Sequence, residues 1–157
     1  MLKFVKLSHC VLAGLLLVSF GCVTVQMPQY LKDKNPYHKE FYVHYDKALS
    51  ATIMALERLG WKVVKQSNPM VFEGDSVQSE ATPRQVLLFT DMRQNGMLFG
   101  SRYATINVFL KENNEKIDVE IRYFSIFSTA LKNFENYKND ELVKKIFDQI
   151  EKVIATP

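Results

Sequence analysis

The stretch that decides the fold is Tyr103-Ala104-Thr105-Ile106-Asn107-Val108-Phe109-Leu110, then Glu112-Asn113-Asn114-Glu115, then Ile117-Asp118-Val119-Glu120-Ile121-Arg122-Tyr123-Phe124. Side chains alternate across a strand with period two. The first run sets Ala104, Ile106, Val108 and Leu110 against Tyr103, Thr105, Asn107 and Phe109. The last run sets Ile117, Val119, Ile121 and Tyr123 against Asp118, Glu120 and Arg122, which reads as a solvent face. The polar link between the runs is hairpin chemistry. Strands joined by a hairpin are antiparallel, which argues against a doubly wound parallel nucleotide fold.

Working outward, Gln85 to Met92 alternates as another strand, joined to the Tyr103 strand by Asn95-Gly96 and a short apolar tip. Phe41 to Tyr45 alternates as a first strand, and His44 points away from its apolar side. Asp46 suits the N-cap of a helix running to about Leu59, and Gly60 supplies a left-handed stop. Trp61 to Gln66 and Met70 to Val77 read as strands, the latter with Gly74 as a bulge; Ser79 to Pro83 is a polar break. At the far end Asn139 caps a helix whose Leu142, Val143, Ile146, Phe147, Ile150, Val153 and Ile154 form one apolar stripe. The expected fold is α+β: a single antiparallel sheet of five to six strands, packed by a long C-terminal helix and a shorter N-terminal helix.

The chain opens with Lys3, Lys6, an apolar run from Val11 to Phe20, then Gly21 and Cys22. A basic start, a short apolar core and small residues at a cut make a secretory signal. The run is too short to span a bilayer, which takes about 20 residues. The organisation expected is 1–21 signal peptide, 22–40 lipidated cysteine and flexible tether, and 41–157 a single α+β domain. Ser19-Phe20-Gly21-Cys22 resembles the lipobox of bacterial lipoproteins, which implies a lipid anchor at Cys22. Ser19 and Gly21 also suit an ordinary signal peptidase, which would leave Cys22 as a free thiol. Val23 follows the cysteine where Asp would retain a protein at the inner membrane. By resemblance to enteric lipoproteins, this implies the outer membrane, facing the periplasm.

The whole chain carries 20 basic and 17 acidic residues, net +3. Losing Lys3 and Lys6 with the signal leaves 18 against 17, near neutrality. Nothing then points to nucleic acid. Cys10 and His9 leave too, so the mature domain has no thiol beyond Cys22 and only His38 and His44 as imidazoles. His38 with Glu40 is two ligands short of a zinc site, and His38 reads as solvated tether. Gly100-Ser101-Arg102 lacks the setting of a nucleophile turn. Neither an enzyme nor a cofactor nor a metal is expected.

Two stretches invite contact. Met97, Leu98 and Phe99 stand between glycines at a hairpin end, where three large apolar residues are costly to leave in water unless they fold back or meet a partner or lipid head groups. Phe124, Phe127, Phe134 and Tyr137 fall in a segment of neither strand nor helix period. They either fill the core under the terminal helix or line a pocket between sheet and helix.

The run Ala48-Leu49, Ile53, Leu56, Leu59-Gly60-Trp61, Val63, followed by alternating strands and an amphipathic terminal helix, resembles a group of small bacterial envelope lipoproteins of uncharacterised helix-grip type. It is similar to the domain of lipoprotein C of the outer-membrane β-barrel assembly complex. The resemblance implies a helix-grip-like architecture and a non-enzymatic lipoprotein of the bacterial cell envelope that binds a protein partner in envelope assembly or maintenance. The alternative is a small-molecule or lipid-binding helix-grip module.

Overall fold

A computed structural model describes residues 24–73 and 83–156. Cys22, the signal segment and Gly74 lie outside them. The spine is the long hairpin of β5 (Gly100–Asn113) and β6 (Lys116–Ser128), in unbroken register from Asn113 opposite Lys116 to Ser101 opposite Ser128. Asn114 makes the turn at φ 56°, a left-handed conformation that Asn tolerates. β1 (Tyr37–Phe41) and β7 (Asn133–Asn136) share the outer edge of β6, one beyond the other. β3 (Gln85–Thr90) and β4 (Arg93–Met97) share the outer edge of β5 in the same way, and β2 (Val63–Ser67) adds to β3. Every pairing is antiparallel. Among the described residues the sheet has seven strands rather than five to six, because both outer ranks are split in two.

The split between β3 and β4 is a bulge. Phe89 lies opposite Asn107 and Arg93 opposite Ala104, so one strand advances four residues while β5 advances three. The extra residue reverses which side chains face which way. Leu87 and Phe89 face one side; Arg93 and Asn95 face the other. Thr90 fills the gap in the ladder: its Oγ1 accepts from Ile106 N at 3.0 Å and donates to Ile106 O at 3.1 Å.

On one face, Ala104, Ile106, Val108, Leu110, Ile117, Val119, Ile121 and Tyr123 form a single cluster with two helices. These are α1 (Tyr45–Arg58), through Ala48, Ala51, Ala55 and Leu56, and α3 (Asp140–Ala155), through Val143, Ile146, Phe147 and Ile150. Each large side chain buried there stabilises the fold by about 1.5–3 kcal/mol. The small residues of α1 let it lie beside α3 on the same face, so the terminal helix does not pack the sheet alone. Asn139 caps α3 as expected, its Oδ1 accepting from Leu142 N at 3.1 Å. Gly60 ends α1 at φ 81°.

Local readings fail in four places. The first strand is Tyr37–Phe41, not Phe41 to Tyr45, because Phe41 pairs with Ile117 and Tyr45 already opens α1. His38 is therefore a strand residue and His44 the helix N-cap; Asp46 sits in the first turn and bonds Arg84 at 2.7 Å. Met70 to Val77 is not a strand where it is described: Met70–Glu73 is a short helical turn, α2, started by Asn68 Oδ1 accepting from Met70 N at 3.0 Å. Asn95-Gly96 is not the turn but lies inside β4, and the hairpin reverses at Leu98-Phe99.

The second face is covered by chain that the sequence suggested was free. Of the stretch 22–40, expected as a flexible tether, the part from Val25 to Leu31 packs on the sheet, and 37–40 belong to β1. Leu31, only 2 % exposed, packs with Phe124 and Ile126, and Val25 and Met27 pack against them. Leu31 N donates to Asn107 Oδ1 at 2.7 Å, and Arg122 Nη1 donates to Leu31 O at 3.1 Å and to Tyr30 Oη at 2.7 Å. Asn107 and Arg122 are direct cross-strand partners, so one polar pair supplies the hydrogen bonds that a non-strand segment needs when buried. Glu120 and Arg122 are thus not on a solvent face; they form an ion pair beneath this strap. Phe72 of α2 stacks on Tyr30 and packs on Phe89, closing the cover over β3.

Candidate functional site

Two features stand out on the described surface, both at the sheet end where β5 begins and β6 finishes. The first is an apolar end. Leu98 is 89 % exposed and Phe99 80 %, with Met97 half exposed beside them. The tip does not fold back onto the core. Gly100 explains its closeness to β6: a Cβ there would sit 2.2 Å from Ser128 O. The neighbouring turn between β6 and β7 is tightly built. Thr129 Oγ1 accepts from Leu131 N at 3.3 Å and from Lys132 N at 3.1 Å, and Thr129 N donates to Lys132 O at 3.0 Å. That turn holds Leu131 outward at 93 % exposure. Leu131 was missed in the sequence because a lone leucine in a polar segment gives no signal.

Beside the tip runs β7, an edge strand with β6 on one side only. Phe134 is 52 % exposed, stacks near Phe127 at 6.4 Å and has Lys132 Nζ over its ring at 5.4 Å. Tyr137 is partly exposed, and its hydroxyl donates to Glu135 Oε2 at 3.3 Å. Burial first, then the Glu135 charge, raises the Tyr137 phenol above its usual range. Phe124 packs on Tyr137 at 4.9 Å on the strap side, whereas Phe127 and Phe134 pair on the opposite side. The alternation of β6 separates them. Phe124, Phe127 and Phe134 therefore neither fill a common core under the terminal helix, Phe124 lying on the strap side and Phe134 at the surface, nor line the alternative pocket between sheet and helix.

The second feature is a cleft of about 300 Å³ on the helix face, bounded by Trp61, Arg93, Arg102, Tyr123, Leu142 and Lys145 among others. The bulge creates it by turning Arg93 onto this face. The Arg93 guanidinium lies over the Trp61 ring at 4.8 Å, and its Nη1 donates to Leu59 O at 3.3 Å. Lys145 is held at 2.6 Å by Glu141, which that contact keeps below the usual carboxylate range. Nearby, Tyr37 Oη bonds Asp140 and accepts from Asn139 N at 3.0 Å. Burial, then the Asp140 hydrogen bond, pushes its phenol up to about 12.

His38 meets Glu120 at 3.9 Å across the strands, and His44 is a helix cap, so the structure does not bring the two imidazoles into one site. Among the described residues no group of three or more His, Cys, Asp or Glu is placed to hold a metal ion. Among the same residues no helix is long and apolar enough to cross a membrane. The described residues thus form an α+β domain with one open antiparallel sheet, two helices of three or more turns on one face and a strap on the other. No protein-family model matches the chain, and no curated protein matches it.

Proposed function

We propose that this chain is a non-enzymatic lipoprotein of the bacterial envelope, anchored through Cys22 in the outer membrane and facing the periplasm, that binds a protein partner in envelope assembly or maintenance. Kinship with small helix-grip lipoproteins, including the domain of lipoprotein C of the barrel-assembly complex, is part of this reading. It draws support from the helix stripe of α3 across one sheet face. The observation that carries the partner contact is the edge strand β7, with the exposed rings of Phe134 and Tyr137 beside it. An extended segment of a partner can add to such an edge by main-chain pairing, with aromatic side chains supplying apolar anchors.

The test is photo-crosslinking in intact cells from residue 134, with Glu115 at the opposite end of the sheet as the control. A discrete protein adduct from position 134, absent at 115 and lost in Tyr137→Ser, is the expected result. The same adducts from both positions would sink the partner reading.

A small-molecule module is the second reading, and the cleft at Trp61 favours it. Trp61 Nε1 is buried and finds no hydrogen-bond partner among the described residues, so a ligand with an acceptor group would suit that wall. Native mass spectrometry of protein extracted from membranes would reveal a retained ligand mass, and a bare protein mass would count against this reading.

A further inference from the structure

The geometry points to a membrane-seated domain: we propose that the apolar end of the sheet, Leu98 and Phe99 with Leu131, inserts into the same phospholipid surface that holds the anchor. This rests on the lipid anchor at Cys22 and adds an orientation to it. Four observations converge.

The first is exposure. Leu98, Phe99 and Leu131 project from two adjacent turns that are held in shape, one by the close approach of Gly100 to Ser128 and the other by Thr129. Apolar residues presented this openly on built turns mark a surface for contact.

The second is charge. Residues 93–102 and 125–134, which make this end, contain Arg93, Arg102 and Lys132 and neither Asp nor Glu. The hairpin at the other end of the spine, residues 111–118, carries Glu112, Glu115 and Asp118 beside Lys111 and Lys116. Arg102 and Lys132 suit phosphate-bearing head groups, which sit just above the acyl layer, whereas Arg93 is held on Trp61. A protein partner would not require all acids to be absent from both turns.

The third is the path of the strap. It runs from Val25 and Met27, packed against the cluster of Leu31, Phe124 and Ile126, to Leu31 at Asn107 and Arg122, and only then toward β1. The described chain thus begins on a cluster whose β6 members, Phe124 and Ile126, lie in the part of β6 that leads to the apolar end.

The fourth is reach. Cys22 is three residues before Val25, and three residues of chain span at most about 11 Å. Ile126 lies opposite Tyr103, four to five residues from the hairpin tip, which is about 13–17 Å at a rise of about 3.3 Å per residue. Anchor and tips can thus meet one plane. A free tether of about 18 residues would have let the domain stand off by roughly 20–25 Å; docking the strap removes that slack.

The test uses the mature protein purified from membranes and reconstituted in phospholipid vesicles. The wild-type chain is first treated with a thiol dye, because it has no thiol after Cys22. A lipidated Cys22 takes none. Leu98→Cys and Glu115→Cys are then each labelled with an environment-sensitive fluorophore, and quenching by acyl-brominated phospholipid is measured. Both positions are exposed turns, so neither substitution should disturb folding. The expected result is an undyed wild type, with the label at position 98 blue-shifted and quenched several-fold more than that at 115. Dye on the wild type refutes the anchor, and the seating with it. An undyed wild type with equal quenching at 98 and 115 refutes the seating alone. That outcome would leave the tip to a protein partner.

Discussion

Replacing Leu31 with Ala should weaken the whole fold although Leu31 lies in the segment with the least regular structure. Leu31 is buried in a small cluster with Phe124 and Ile126, and Val25 and Met27 lie half-buried around it. A Leu→Ala change in a fully enclosed core costs 2–5 kcal/mol, and a surface strap can settle partway into the space, so the loss here should be about 2–3 kcal/mol. Since 1.4 kcal/mol is tenfold, the docked-to-released ratio should fall about 30- to 140-fold. Urea unfolding measures the first figure; hydrogen exchange at the Leu31 amide, which bonds Asn107 Oδ1, measures the second. A companion substitution, Val108→Ala, removes contacts on the helix face that persist when the strap opens. It should speed exchange in the sheet and leave the Leu31 amide unchanged, as expected if the strap opens as its own unit. A stability change below about 0.5 kcal/mol for Leu31→Ala, the size of an ordinary surface change, would refute the docking argument.

Two glycines of one hairpin should behave oppositely. Gly96→Ala meets nothing within 4 Å and should leave the melting temperature unchanged, whereas in Gly100→Ala the new Cβ meets backbone at Ser128 O, so the hairpin end must part at a cost of about 1–3 kcal/mol; equal melting temperatures would contradict the close packing of the two turns. Tyr37 gives a pH signature. Its phenol is raised to about 12 in the folded chain against an ordinary 10, so its stabilisation is complete below pH 10 and is lost as pH climbs toward 12, where the unfolded chain binds fewer protons. Tyr37→Phe should therefore lose less stability than the wild type across that window in denaturant titrations, and parallel curves would show that the bond to Asp140 has no energetic weight.

Much of the framework was legible because it is written in local periods. The β5–β6 hairpin follows from strict alternation around Asn113-Asn114, α3 from its apolar stripe and Asn139, and the end of α1 from Gly60. The misses share a cause. Phe41 to Tyr45 alternates as well as Tyr37 to Phe41 does, and only pairing with residues 117–121 of β6 selects the earlier register. Phe124, Phe127 and Phe134 look like one aromatic group along the chain, yet an offset of three residues in a strand puts side chains on opposite faces. The bulge at Asp91-Met92 is equally silent in sequence, and it decides that Arg93 rather than Gln94 stacks on Trp61.

The sequence by itself determined the class of the fold, its antiparallel spine and the stripe of its last helix. Each depends on side chains within a few residues of one another. The tertiary structure alone decided that the supposed tether is a strap. Its backbone partners, Asn107 and Arg122, lie 76 and 91 residues away from Leu31. Alone in strands, those two polar residues look like solvent contacts. Only when the sheet sets them side by side do they offer one acceptor and one donor at the spacing a crossing backbone needs. That long-range match turns a polar, proline-marked stretch into the cover of a second face.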